Sequence, residues 1–539
     1  MASPVAVGNR IKLTRSHTLA HTLRSGAAAI VALLALLALL VGAQPARAAG
    51  KADLPPELLA TVAIGPGPTL RTLQAYADAV QPGAGGLVND QLVRHGLAEI
   101  VGAGGLDGFD PAGWLYLLVG TVDSTPTFAL LGKVSDAKAV TASAGSLHTI
   151  VKAGWAVIGP KPLLDKIAGY AFATISTQPT PRVPTANVFL SQVLARFHPQ
   201  IEAVKTQMAT MAASDPSMGR LMQIYIEGLG SLGDDTERVV ITLETTAQIA
   251  WLDLALVPRP ASRLAKFVAL QRPGDYALLD RLPASAASFV LAGHLELGPY
   301  RDGMLAAMSQ FWGGAAQDVT SQLAAVAKTL TGDFAGAIRL VPGKGMAFTQ
   351  LYGTSDTSAA DKALVTLLDL FKAGRTMTVG KSSSTIRSSA GTTEQRGVAL
   401  RSYDTTVDLS KMTAAERQPM TAMMPTGTQR AYLGTFDKLT MFVAAPDSLD
   451  EAGRAIDAAR GKAAHFVASP AIGTLLDATR ARKDSFAAVV DIAPFLAAAG
   501  VTASELTFLT SLGFADKAMH LRFALPSTTL AAAAKLSHP

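Results

Sequence analysis

Few residue sets in this chain have the types and spacing that could do chemistry. Ser135 and Lys138 stand three apart in Ser-Asp-Ala-Lys, a stretch that reads as the start of a helix. On a helix, a lysine at that spacing lies over the serine and can take its proton, the arrangement of a serine–lysine acyl enzyme. No Lys-Thr-Gly or Ser-Asp-Asn triplet accompanies the pair. The pattern is only two residues and arises often by chance, and Ser135 reads first as the cap of the helix, with Asp136 favourable in the first turn. Gly380-Lys381-Ser382 has the end of a phosphate loop, but the glycine required five residues earlier is Arg375. His294 with Glu296, and His520 with Arg522, share a strand face, which makes half a metal site at most. No cofactor and no metal are expected.

These residues must be positioned by strands and helices. In 237–257, Val239, Ile241 and Leu243 alternate with Val240, Thr242 and Glu244; after a polar break, Leu252, Leu254 and Leu256 alternate with Trp251, Asp253 and Ala255. Side chains change face at every strand residue, so this predicts a β-hairpin with one buried face, ending at Pro258. A similar unit spans 506–525, where Met519, Leu521, Phe523 and Leu525 share a face before Pro526. Leu54-Pro55 and Leu282-Pro283 open comparable stretches, and a strand-Gly-Pro-helix step at 155–167 is matched by a strand-Ala-Pro-helix step at 439–460. Thr69 is placed to cap a helix over 70–80. Adjacent strands joined by short turns favour α+β with antiparallel sheets over a doubly wound parallel sheet. The expected organisation is two related halves of packed helices and antiparallel sheets, 51–267 and 272–536. A polar Ser/Thr/Gly-rich insert at 376–408 should protrude from the second.

Residues 1–48 stand apart. Arg10, Lys12, Arg15 and Arg24 precede an apolar run over 27–41, and Ala46-Arg47-Ala48 supplies the small-x-small pattern of a cleavage site. This is an export signal, and the mature chain is expected in the periplasm or secreted. Retained uncut, the segment approaches the ~20 residues that span a bilayer, and membrane contact is expected only in that case. Five of the 47 Lys and Arg lie in this segment, so the remainder balances the 41 acidic residues to within one charge. A near-neutral chain has no bulk field for nucleic acid. With no cysteine, disulfides, thiolate nucleophiles and thiolate metal sites are excluded.

The signal, the Leu-Pro openings, the strand-Pro-helix steps and the closing hairpin together resemble an uncharacterised class of exported bacterial envelope proteins with a duplicated α+β domain of unknown function. The resemblance spans most of 51–536, rests on structural motifs, and transfers no site residue. The function expected is non-enzymatic: a binding or scaffold protein of the envelope, with a protein partner, an apolar small molecule or a lipid. The alternative is an envelope hydrolase of serine type, with Ser135 and Lys138 as its candidate residues.

Overall fold

The computed structural model describes residues 53–536 apart from 66, 124, 215–229, 286, 310–315, 342, 380–381, 411, 415–416, 418–420, 422–423 and 499–505. The export signal and the Gly380-Lys381 dipeptide lie outside the described residues.

The first half contains β1 (Leu58–Ile64), β2 (Leu115–Val122), β3 (Thr125–Lys133), β4 (His148–Lys152), β5 (Trp155–Gly159), β6 (Thr185–Val188), β7 (Thr236–Thr245) and β8 (Ile249–Pro258). The second contains β9 (Phe289–His294), β10 (Leu330–Val341), β11 (Gly345–Thr354), β12 (Arg375–Val379), β13 (Ser382–Ser388), β14 (Thr393–Gln395), β15 (Val398–Asp408), β16 (Thr428–Phe436), β17 (Leu439–Ala444), β18 (Phe486–Asp491), β19 (Thr507–Ala515) and β20 (Ala518–Pro526). Every described pairing is antiparallel.

Followed from neighbour to neighbour, the strands run β4-β5-β3-β2-β1-β6-β7-β8-β20-β19-β18-β9-β10-β11-β17-β16-β15-β13-β12. Reading outward from the central β8–β20 pair gives β8, β7, β6, β1, β2, β3, β5, β4 on one side. The other side gives β20, β19, β18, β9, β10, β11, β17, β16. The two series correspond strand for strand, so the halves are similarly built and share one sheet. The insert is built of antiparallel strands. β12, β13 and β15 continue the sheet beyond β16, where the first half has no counterpart, and β14 pairs back on β15.

The helices repeat as well. The first half has α1 (Gly67–Val80), α2 (Asp90–Val101), α3 (Ala137–Ser143), α4 (Lys161–Ala173), α5 (Leu190–Ser214) and α6 (Arg263–Leu270). The second has α7 (Arg301–Ser309), α8 (Ala316–Ala327), α9 (Thr357–Asp369), α10 (Ser448–Ala459), α11 (Pro470–Ala481), α12 (Ala493–Ala498) and α13 (Ser527–Leu536). The helix that follows each closing hairpin crosses to the other half. α6 packs near Tyr300 at the start of α7, with Phe267 edge-on to Tyr300 at 5.3 Å. α13 packs on α1.

Several local expectations change. α1 begins at Gly67, so Thr69 sits within its first turn and is not its cap. Asp136, not Ser135, caps α3, accepting from the amides of Lys138 and Ala139. Replacing Asp136 by alanine is expected to cost about 1 kcal/mol in a thermal melt. The turns Ala153-Gly154 (β4–β5), Asp437-Lys438 (β16–β17) and Asp516-Lys517 (β19–β20) have positive φ at both central residues, as tight hairpins require.

The sheet is packed on both faces in the first half. On one face, Leu163, Leu164 and Ile167 of α4 meet Leu118, Leu131 and Val157. On the other, Leu97 and Val101 of α2, Val140 of α3 and Val193 of α5 meet Val62, Leu117, Leu130, Ile158 and Val188. In the second half the face carrying α10 and α11 is equally dense, with Ala455, Ile456, Leu475 and Leu476 on Val290, Met441, Val443 and Val489. Following the register across β8–β20 shows that the α4 face and the α10 face are the same side of the sheet.

Candidate functional site

The opposite side of the sheet differs between the halves. In the first half it is the sealed core under α2, α3 and α5. Across the centre, the same face continues through Leu252 and Leu254 to Phe523 and Leu521, then to Thr510 and Leu512, and on to Ala488 and Phe486. It next reaches Leu291, Gly336, Gln350 and Phe442, with Ile338 opposite both Phe289 and Phe348. Strand alternation places all these side chains on one side. Leu291, Phe334, Ile338, Phe348, Phe442, Phe486 and Val490 are only half-buried. At the central edge of the face, Phe508 and Phe523 are 36% and 39% exposed.

The helices explain the difference. α9 sits on this face, tied by Asp361 to Arg401 of β15 at 2.9 Å. α8 turns its apolar side to α9, where Val319 and Phe371 form a small cluster with Leu323, Leu367 and Leu370. α7 packs on α8. Val319 and Leu323 of α8 are thus packed toward α9, and among the described residues the phenylalanines of β9, β10, β11 and β18 are only partly buried.

Within this face Phe334 and Phe486 lie 5.6 Å apart, and Tyr403 stacks on Phe442 at 6.4 Å. The Tyr352 hydroxyl donates to Gln350 Oε1 at 2.8 Å. Burial pushes the Tyr403 hydroxyl up to about 12 and raises that of Tyr352, so both stay neutral phenols at physiological pH. Gly336 adds space: a Cβ there would stand 3.0 Å from Gln350 Cγ and 3.3 Å from Leu291 Cγ. Among the described residues the arrangement is a broad apolar surface with few polar groups, able to take apolar matter.

Ser135 and Lys138 are both exposed and far from this face in the fold. The Ser135 hydroxyl donates to the carbonyl of Gly108 at 3.0 Å, which commits its proton to the backbone. Lys138 makes its described bond through its amide, to Asp136.

The two histidine pairs resolve differently. His294 closes β9, is buried, and bonds Asp333 Oδ1 through Nδ1 at 2.9 Å. Glu296 lies 3.3 Å from its Nε2, but without hydrogen-bond geometry. No group of three or more metal-ligating side chains was found among the described residues. His520 and Arg522 do share a face, and both reach across the central seam to Asp253 of β8, at 2.9 and 3.0 Å. Arg522 also pairs with the buried carboxylate of Asp484, to which Ser511 donates at 2.6 Å. Gly513 makes room for that pair, since a Cβ there would collide with both partners. Sequence reasoning missed Asp253 and Asp484 as partners. A charge inside an apolar strand must be paired, and that signal was present in Leu-Asp-Leu at 252–254.

No family model and no curated protein matches the sequence. Among solved structures, this chain is similar to a crystal form of TP0453, at 8% identity and TM-score 0.22, covering 49% of this chain and 98% of that one. At that score the likeness is loose and carries no argument, so the reading below rests on this chain's own geometry.

Proposed function

We propose that this is a non-enzymatic binding protein of the cell envelope, and that the open sheet face of the second half takes an apolar small molecule or a lipid chain. One observation carries the reading. The same side of the sheet is a sealed core in one half, while in the other its described aromatic and aliphatic side chains are only partly buried beneath helices in corresponding positions. Exposed contiguous apolar surface is costly for a protein in water and marks a binding surface. The basic, apolar and Ala-Arg-Ala stretches of residues 1–48 support export, with action in the periplasm or outside the cell. No described helix is long and apolar enough to cross a membrane.

The test is titration of the purified protein with a fluorescent fatty acid. Saturable binding is expected, weakened about tenfold or more by Leu291→Gln, which removes roughly 2 kcal/mol of apolar contact. Val467→Ser, at an exposed site in the loop before α11, should leave it unchanged. Absence of saturable binding, or equal binding by the Leu291 variant, would sink the apolar-ligand reading. Uptake of a second protein copy without fatty-acid binding would turn the face into a protein contact.

A further inference from the structure

On the other side of the sheet, at the start of α10, lies a cavity of ≈ 370 Å³ lined by Ala284, Ser285, Arg339, Leu340, Val341, Glu451 and Arg454. Its organising group is Glu451, a carboxylate 3% exposed. Arg339 Nη2 donates to Glu451 Oε2 at 2.8 Å, and Arg454 donates to the same oxygen through Nε and Nη2. Thr349 donates to the other oxygen at 3.3 Å. The fold does not demand a charge here. On α4, the corresponding helix of the first half, the first turn buries Leu163 and Leu164, both 0% exposed. A buried ion cluster is weaker support for a fold than the leucines it stands in for, so its presence at a cavity calls for a use.

The use is readable in the free donors. Among the described residues, Arg339 Nε and Nη1 and Arg454 Nη1 have no protein partner, and Arg454 is half-exposed at the rim. Glu451 holds both guanidinium groups by one oxygen, which fixes their position before anything binds. Asp447 draws on Arg454 at 3.2 Å from the exposed side. A guanidinium presents a planar fork matched to the oxygens of a carboxylate or phosphate. Val341 and Ala284 give the remaining wall an apolar character suited to a short carbon body.

We infer that this cavity binds a small organic anion, its oxyanion head on Arg339 and Arg454 and its short apolar body against Val341 and Ala284. The site is separate from the open sheet face, and its test does not depend on that reading. Thermal melts and calorimetry of the purified protein with butyrate, inorganic phosphate and chloride at matched ionic strength decide it. Saturable stabilisation by butyrate above chloride is expected. Arg454→Gln should weaken it roughly tenfold or more, the scale of one charge-assisted hydrogen bond. Phosphate binding with no butyrate binding would keep the oxyanion site and remove the apolar body. Because Arg454→Gln alters a partner of a buried carboxylate, a second variant is needed. Arg339→Leu with Glu451→Leu restores the apolar lining of the first half and should fold without binding either anion. Equal response to butyrate, phosphate and chloride, or undiminished binding by the double variant, would overturn the inference.

Discussion

Leu130→Ala is expected to destabilise the protein by roughly 3 kcal/mol in urea unfolding, while Phe348→Ala is expected to cost only about 1–2 kcal/mol. The two residues lie on corresponding strands, β3 and β11, and on the same side of the sheet. Leu130 is fully buried among Leu117, Ile158 and Val140, so its loss leaves a cavity as well as the lost transfer energy. Phe348 is the larger side chain and would cost more in a sealed core, but it is half-buried and its neighbours are already open. The larger residue giving the smaller loss is the thermodynamic signature of an unsealed face. Phe348→Ala should also weaken fatty-acid binding, and Leu130→Ala should not do so while the protein remains folded. Equal losses at the two positions would show that the second-half face is packed as tightly as the first, and the proposed binding surface would go with it.

The fold class was legible because its signal is local. Alternation at Val239, Ile241 and Leu243 or at Met519, Leu521 and Phe523 needs only a period of two, and the observed hairpins sit where that period runs. β4 was missed because His148-Thr-Ile-Val-Lys is short and exposed at the sheet edge, with little apolar alternation to mark it. The joining of both halves into one sheet was not legible, since β8 and β20 pair across about half the chain and no local pattern records that register. Nor was the open face: Leu291 and Phe348 look in sequence like any core residues, and their partial burial depends on where α8 and α9 pack. The Glu451 cavity had no signal either, because an acid in a first helical turn is ordinary there and its burial is tertiary.

The seam between the halves should fail when Arg522 is removed. Arg522→Leu is expected to cost about 3–5 kcal/mol near pH 7, the scale for breaking a buried ion pair from one side. The guanidinium serves two carboxylates from opposite halves, Asp253 of β8 and Asp484 ahead of β18. Burial pushes the Asp484 carboxyl up, against the pull of Ser511 and Arg522. Burial acts on Asp253 too, but the His520 hydrogen bond and the Arg522 charge outweigh it and hold that carboxyl below the usual range. Asp253 thus contributes stability that is present above its unfolded pKa and lost as pH falls through the lower folded value. Asp484 contributes in the opposite sense, its share being full below the unfolded pKa and lost as pH rises through the raised folded value. Without Arg522, Asp253 is lowered less and Asp484 is raised further. Both changes remove stability above the carboxylate range and leave it untouched below. The variant's deficit should therefore shrink as pH falls from 7 toward about 4, where protonation relieves the stranded Asp484. Urea unfolding of both proteins at the two pH values measures this. A deficit independent of pH would mean that the seam is held by packing around Trp251 and Leu509 and that its charges are incidental.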